Sequence, residues 1–571
     1  MFMYIRVTST KNSPRKSVKV VESVREGYKV KQVMICHVGI ASNENEIEKL
    51  KHVGMEFIAQ EQLRREKNSP QLSLLEPETV EERLRNIEKN IPKKVFGRKQ
   101  LIKLQNVTAE DNLSLSDLVE EKRIIEGFHE VAGHVYDLLN YQTLLKNKKD
   151  NELLKDLVIM RLVEPSSKLK AKQILDARFS RTHDIDAIYR TMDKLYPKIG
   201  EIKKKTFTRT QTIIPETIDI IFFDCTTLYF ESIETDELRQ FGYSKDHRFN
   251  TTQVVLALAT NSDGLPIGYE LFEGNKAEVK TLLECLNSWK KSFNIKSVCF
   301  VADRAMMSDD NLKMLEQENH HYVVAAKLRS LPKDLIAEIL SEKNYQAQII
   351  NDDFGWVGEF KYKKRRLVVS YKTKRASRDA YQREQIISKL KKRIGSEGDT
   401  SKLITNQGVK KYTLSENSKT IIDQNKIDKD AAWDGLHGVI TNLSEEKASE
   451  VLARYARLWK IEESFRINKH TLSMRPIYHF KPERIKTHIA LCFMAFSVLR
   501  NMEYKIKLTQ KISLETMIDE LTHVQASYYK HTPTGKVYRM PSKFSQNAAK
   551  IYKAFQIQRN NNAQVIVQTS K

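Results

Sequence analysis

Cysteine is scarce and unpatterned in this sequence. Cys36, Cys225, Cys285, Cys299 and Cys492 are scattered over 571 residues with no Cys-x-x-Cys spacing. That excludes a thiolate zinc site and a disulfide framework, and fits a reducing cytoplasm. Long hydrophobic runs are missing as well. The longest, Ile489–Leu499, is too short to span a bilayer and predicts a buried helix. Met1 to Arg25 carries basic residues but no apolar stretch of signal-peptide type. Internal repeats and low-complexity tracts are also lacking. The expectation is a cytoplasmic protein with no membrane partner.

What is abundant is positive charge. Lys+Arg number 96 against 73 Asp+Glu, a formal charge of +23. Such an excess predicts a polyanionic partner, nucleic acid ahead of anionic membrane, or else a merely solvated basic surface. An apolar content of 40% argues against wholesale disorder, and the length predicts about two to four domains.

Along the chain, residues 1–40 alternate in short apolar stretches and predict a small antiparallel sheet. Residues 41–105 are highly charged and helical in tendency. From about 113 to 203 short amphipathic helices follow. One of them begins Pro165-Ser-Ser with Lys168, Lys170 and Lys172 in its first two turns, which suits a DNA-binding module or a helical packing domain. After Pro215 the pattern becomes three strands (218–230, 251–260, 265–272), a helix, a strand at 297–302, a helix and a strand at 321–326. The order βββαβαβ is that of a ribonuclease-H-like domain with a mixed five-stranded sheet. Residues 330–445 interrupt it with short strands and one charged helix, read as a β-rich insertion. The tail from Gln556 reads as polar and frayed.

Chemistry concentrates in three carboxylates. Asp224 interrupts an apolar strand, where an unpaired carboxylate costs several kcal/mol, so a hydrogen bond, an ion pair or a metal must compensate it. Asp303 raises the same question at the end of the fourth strand, and that strand neighbours the first in such a sheet. Downstream, Tyr455–Lys469 contains neither Gly nor Pro and predicts one helix. At about 100° per residue it places Tyr455, Trp459, Glu462, Arg466 and Lys469 on one face. The bland alternative for Glu462 is an i, i+4 pair with Arg466. Three hard oxygen donors without a His or Cys cluster suit Mg²⁺ or Mn²⁺. Two such ions about 4 Å apart serve in-line phosphodiester chemistry.

These residues also carry a family resemblance. Phe223-Asp-Cys-Thr-Thr-Leu-Tyr229, Gly242-Tyr-Ser-Lys-Asp-His-Arg248, Val301-Ala-Asp-Arg304, Asp434-Gly-Leu-His-Gly-Val-Ile-Thr-Asn442, Tyr455-x6-Glu462-x6-Lys469 and Met474-Arg-Pro-Ile-Tyr-His479 resemble bacterial insertion-sequence transposases of the DDE class. The branch concerned has a β-rich insertion and a Tyr-x2-Arg-x3-Glu-x6-Lys signature. The resemblance implies a catalytic and metal-binding triad of Asp224, Asp303 and Glu462, with two Mg²⁺ ions replaceable by Mn²⁺. It implies DNA contacts at Tyr455 and Lys469. The signature's Arg position is Leu458 here, so that contact is either lost or taken over by Arg457 or Arg466. Arg304 and the loop Lys245–Arg248 are further candidate DNA contacts, as are Arg475, Tyr478 and His479. Trp433, in the insertion, is either a packed core aromatic, the leading reading, or the insertion-borne aromatic that family members stack on a flipped base.

The resulting organisation is 1–110, β plus charged helices; 111–212, helical and DNA-end-binding; and 213–329, first part of the catalytic core. Then come 330–445, the insertion; 446–505, second part of the core with the Glu462 helix; and 506–571, a helical region and tail with a role in dimerisation. The expected activity is a Mg²⁺-dependent transposase acting as a homodimer on terminal inverted repeats and target DNA, in a bacterial cytoplasm at the nucleoid. The alternatives are a non-catalytic repressor derived from a transposase, or a ribonuclease-H-like nuclease without strand transfer.

Overall fold

The computed structural model describes residues 3–9, 16–26, 29–41, 103–106, 113–213, 220–242, 250–293, 298–303, 308–350, 353–396, 411–416 and 419–567, with isolated positions at 47, 50, 51, 55 and 58. The chain forms two compact units, each built from two chain segments. One is Met1–Glu76 with Phe300–Arg457, the other Pro77–Cys299 with Leu458–Lys571.

In the first unit, β1 (Met3–Ser9), β2 (Lys16–Glu26) and β3 (Lys29–Ala41) form an antiparallel sheet in that order, as expected. Val18 and Val20 alternate inward on β2 and are fully buried, because a strand presents every second side chain to one face. Most of the charged tract 41–105 lies outside the described residues.

The second unit opens with β4 (Lys103–Asn106) and β5 (Leu118–Ile125), then five helices: α1 (Gly127–Leu138), α2 (Lys148–Val163), α3 (Lys168–Phe179), α4 (Ile185–Leu195) and α5 (Ile199–Ile213). The helix start read from Pro165-Ser-Ser is where α3 begins, with Ser167 accepting a cap bond from the Lys170 amide at 3.2 Å. The meander follows as β6 (Ile220–Tyr229), β7 (Gln253–Thr260) and β8 (Pro266–Glu273), all antiparallel, and then α6 (Glu278–Phe293). Gly264 closes the β7–β8 turn at φ +79°, a left-handed conformation that favours glycine.

Back in the first unit lie β9 (Cys299–Ala302), α7 (Asp309–Gln317), β10 (His321–Ala325), α8 (Lys333–Leu340), β11 (Gln346–Ile350), β12 (Asp353–Tyr362) and β13 (Arg365–Tyr371). They are followed by α9 (Thr373–Ser396), β14 (Thr413–Glu416), β15 (Lys419–Ile422), α10 (Gln424–Ala431), β16 (Leu436–Thr441) and α11 (Ala448–Ala456). The strands and charged helix expected within 330–445 are all present. Their pairing, which the sequence reading left open, is that β16 joins β10, β13 joins β16, and the order runs β11-β12-β13-β16-β10-β9. The inserted strands therefore widen the sheet they interrupt.

The second unit closes with α12 (Trp459–Arg466), α13 (Pro482–Thr509), α14 (Leu514–His523), β17 (Gln525–His531), β18 (Val537–Pro541), α15 (Gln546–Ala554) and β19 (Gln564–Val567). The run Ile489–Leu499 forms the middle of α13, buried on every side among α1, α2, α4 and α5. Among the described residues no helix is long and apolar enough to cross a membrane. The region 506–571 is not simply helical, and the described tail beyond Gln556 is not all frayed as expected: β19 pairs with both β18 and β4 in a sheet ordered β4-β19-β18-β17-β5. Four residues, Gln-Val-Ile-Val, are too short to signal a strand by period alone. Partners some 460 positions away in sequence decide it.

Candidate active site

Asp224 lies mid-strand in β6. Its neighbours Phe222, Phe223 and Cys225 are essentially inaccessible, whereas Asp224 is half-buried. Phe223 anchors the strand by packing edge-on against Trp289 at 5.8 Å between ring centroids. One Asp224 oxygen, Oδ1, accepts a hydrogen bond from the next amide, Cys225 N, at 2.7 Å. This local bond orients the carboxylate on the face opposite Phe223.

Glu462 lies on α12, in the same unit, and α12 packs directly on β6 and β7. Ile461, Ser464 and Phe465, spaced for one helical face, are buried against that sheet. The spacing puts Glu462 on the other side with half-exposed Trp459 and exposed Arg466. Among the described residues Glu462 has neither a hydrogen bond nor an ion pair. Arg466 turns instead to Glu463, at a loose 3.9 Å. Glu463 also pairs with buried Arg500 at 3.1 Å. The i, i+4 pair open to Glu462 from sequence is therefore not formed.

The single helix expected over Tyr455–Lys469 is broken twice. The chain leaves α11 at Arg457 and restarts α12 after Leu458, with i, i+3 bonds Arg457 N to Arg454 O and Ile461 N to Leu458 O at the joint. Leu458 is 6% exposed, so its burial ahead of Ile461 and Phe465 sets where the new helix starts. It packs in the core, and it is the residue standing where the resemblance has an Arg. Arg457 and Arg466 are both exposed. Beyond α12, Ile467–Thr471 forms a π turn, closed by Leu472 N to Ile467 O at 2.8 Å and by Asn468 Nδ2 to Ser464 O at 2.9 Å. Lys469 is half-buried on that turn, rotated from its α-helical projection.

Asp303 belongs to the other unit, exposed immediately after β9. Arg304 and the loop Lys245–Arg248 lie outside the described residues. In the unit of Asp303, Tyr455 packs its ring against His437 at 5.0 Å. His437 and Trp433 line a cavity of about 500 Å³ together with Lys327, Arg329 and Arg375. The Arg329 guanidinium sits 5.9 Å from the Trp433 ring centroid and 2.7 Å from Asp430. Burial raises the Asp430 carboxyl, but hydrogen bonds from Lys411 and Tyr412 and the charge of Arg329 outweigh it and hold it at about 2. Lys327, Arg329 and Arg375 were not singled out in the sequence. The only signal there is a Lys-x-Arg pair directly after the fifth strand.

Arg475 caps the end of β6, its guanidinium 5.0 Å from the Tyr229 ring centroid, and a parallel bridge joins Ile477 to Phe230. Tyr478 is exposed and His479 half-buried. Among the described residues no three His, Cys, Asp or Glu side chains stand close enough to share a metal ion. By donor chemistry, Asp224, Asp303 and Glu462 offer carboxylate oxygen alone, which fits Mg²⁺ or Mn²⁺ and not zinc.

Residues 215–498 match the family model described as the transposase DDE domain, a span that includes all three carboxylates. No curated protein matches the chain. Among solved structures the chain is similar to a piggyBac transposase synaptic complex with hairpin DNA, at 10% identity and a TM-score of 0.35, over 70% of this chain and 77% of that one. It is also similar to a Mos1 transposase paired-end complex with the left transposon end, at 12% identity and a TM-score of 0.14, over 30% and 57%.

Proposed function

We propose, on the premise that the chain belongs through residues 215–498 to the transposase DDE domain family, that it is the DNA transposase of an insertion sequence. It binds terminal inverted repeats, pairs two ends as a homodimer, cleaves at the element ends and joins the 3′-hydroxyls to target DNA. The fold this reading needs is ribonuclease-H-like, and the succession β6, β7, β8, α6, β9, α7, β10 is in keeping with it.

Asp224, Asp303 and Glu462 are the catalytic carboxylates and would hold two Mg²⁺ ions, or Mn²⁺ in their place. When bound, such ions acidify an attacking water or 3′-hydroxyl and neutralise the leaving oxygen. The chain's own residues do the rest. Tyr455, Arg457, Arg466, Lys469 and Arg304 hold backbone phosphates, and Trp433 stacks on a base displaced near the cut. The charge of +23 draws the duplex in.

The observation that carries this reading is the state of Glu462. A carboxylate on a helix packed over the Asp224 strand is exposed and unengaged, while its neighbour Glu463 is taken up by the core. The test is to incubate the protein with Mg²⁺, end DNA and a supercoiled target. Joined products support transposition, cut ends without joining indicate a nuclease, and binding alone indicates a repressor.

A further inference from the structure

A second cluster of charge lies in the helical part of the second unit. Lys168, the first residue of α3, is 6% exposed and has neither a hydrogen bond nor an ion pair among the described residues. Arg161, in the last turn of α2, is 7% exposed. Among the described residues its guanidinium reaches only the Ser473 carbonyl at 3.5 Å and His488 Nδ1 at 3.4 Å, both at the limit of a hydrogen bond. Ser166 Oγ, two residues before Lys168, is buried with no hydrogen-bond partner among the described residues. The His479 ring lies beside that of His488, tilted, with 5.3 Å between centroids.

Among the described residues no carboxylate pairs with these cations. Glu164 is committed to Arg178 at 2.9 Å, and Asp193 to Arg484 at 2.9 Å. Burial, with Arg161 nearby, pulls the Lys168 amine down to about 7. Burial, then Lys168, Arg161 and Arg484, pushes His479 down to about 3. Buried cations without a counter-charge are costly, and their natural complement is an anion.

We infer that Arg161, Lys168, Ser166 and the first turn of α3 form a phosphate-binding site. The Arg fork and the Lys point charge together match a tetrahedral oxyanion, the Ser166 hydroxyl supplies a neutral donor, and the N-terminus of a twelve-residue helix adds unpaired amides. The phosphate is either a backbone phosphodiester of bound DNA or free orthophosphate. Only the first source rests on the transposase reading. Exposed Tyr478 and Phe480 flank His479 in sequence and mark the side from which a DNA strand would approach.

The test uses the full chain, with Lys168→Met and Ser166→Ala as variants. Orthophosphate is titrated at an ionic strength kept constant with chloride and followed by calorimetry and thermal melting. Wild type should bind phosphate and melt at a higher temperature in it. Lys168→Met, which relieves a buried charge and so still folds, should bind about ten- to a hundredfold more weakly. Ser166→Ala should weaken binding without loss of charge. No binding to wild type, or equal affinity in wild type and Lys168→Met, overturns the site. End DNA is then added to the phosphate complex. Displacement assigns the site to the DNA backbone, and retention beside bound DNA assigns it to a free anion. A chain that binds phosphate but no end DNA keeps the site and refutes the transposase reading.

Discussion

Arg500 Nη1 lies 3.1 Å from Glu463 Oε2, with Arg500 only 2% exposed. The same nitrogen meets Glu503 at 2.6 Å, and Nε donates to the Gly264 carbonyl at 2.9 Å. Two consecutive glutamates on one helix thus have opposite fates, one locked into the core beneath the β7–β8 turn and the other left facing outward.

Glu462→Gln should therefore abolish cleavage and leave the melting temperature within about a degree of wild type, because an exposed carboxylate without partners contributes little to stability. Glu463→Gln should do the reverse, destabilising by roughly 1–3 kcal/mol while Arg500 keeps only part of its counter-charge. Denaturant melts and cleavage assays on the pair check this. A stability loss in Glu462→Gln equal to that in Glu463→Gln would make Glu462 a structural residue.

Asp224→Asn and Asp303→Asn should each lower cleavage by about a hundredfold or more, with end binding within a few-fold of wild type. Mn²⁺ should replace Mg²⁺, and Ca²⁺ should support binding without cutting, since it tolerates looser coordination. Full activity in EDTA would exclude the metal mechanism, and wild-type cleavage by Asp224→Asn would remove that residue from the site.

Arg466 is 73% exposed in its side chain, and among the described residues its ion pair is with Glu463, at a loose 3.9 Å. Arg466→Ala should leave the melting temperature unchanged and reduce the slope of log affinity against log salt by roughly one unit, the signature of a lost phosphate contact. Lys469→Ala should reduce the slope similarly and slow cleavage. Slopes equal to wild type in both variants would mean that neither cation meets DNA.

Asp156 on α2 is 1% exposed and meets His129 at 3.0 Å, His183 at 2.7 Å and Arg181 at 3.3 Å. Burial alone raises its pKa, but the two histidine hydrogen bonds and Arg181 hold it at about 2, below the ordinary 3.8. A depressed acid stabilises the fold in full above its unfolded value, so about 2 kcal/mol should be lost as pH falls from 3.8 toward 2. Burial also lowers His129 below its ordinary 6.5, so its contribution too is lost on acidification, starting from there. Urea midpoints across acid pH should fall accordingly, and Asp156→Asn should flatten the lowest part of the curve. An unaltered curve in that variant would show that the cluster does not govern acid stability.

The strands around Asp224 and Asp303 were legible because each is an apolar, β-branched run bounded by polar breaks, and β6 to β10 fall within about two residues of the expected limits. The face read around Glu462 was legible only in part: Trp459, Glu462 and Arg466 share the exposed side of α12, opposite buried Ile461 and Phe465, whereas Tyr455 and Lys469 lie beyond its two ends. The break at Leu458 was not, because nothing in Arg457-Leu458 opposes a helix locally and only tertiary burial of Leu458 resets it. The π turn after Arg466 is equally silent in composition. Nor does spacing tell which strand will accept β16 or β19, since hydrogen-bond partners far apart in sequence leave no local mark.

The place of β19 bears on how the protein is made. It lies between β4 and β18 as an inner strand of its sheet, so a nascent chain that has not yet released Gln564–Val567 from the ribosome holds β4 without its neighbour and β18 with an open edge. An open edge of this kind is where unwanted intermolecular pairing starts. Both units also need chain from beyond residue 299 to close. Co-translational folding therefore cannot proceed one finished unit at a time, and a prematurely terminated product would be a target for proteolysis before it could compete with the full chain.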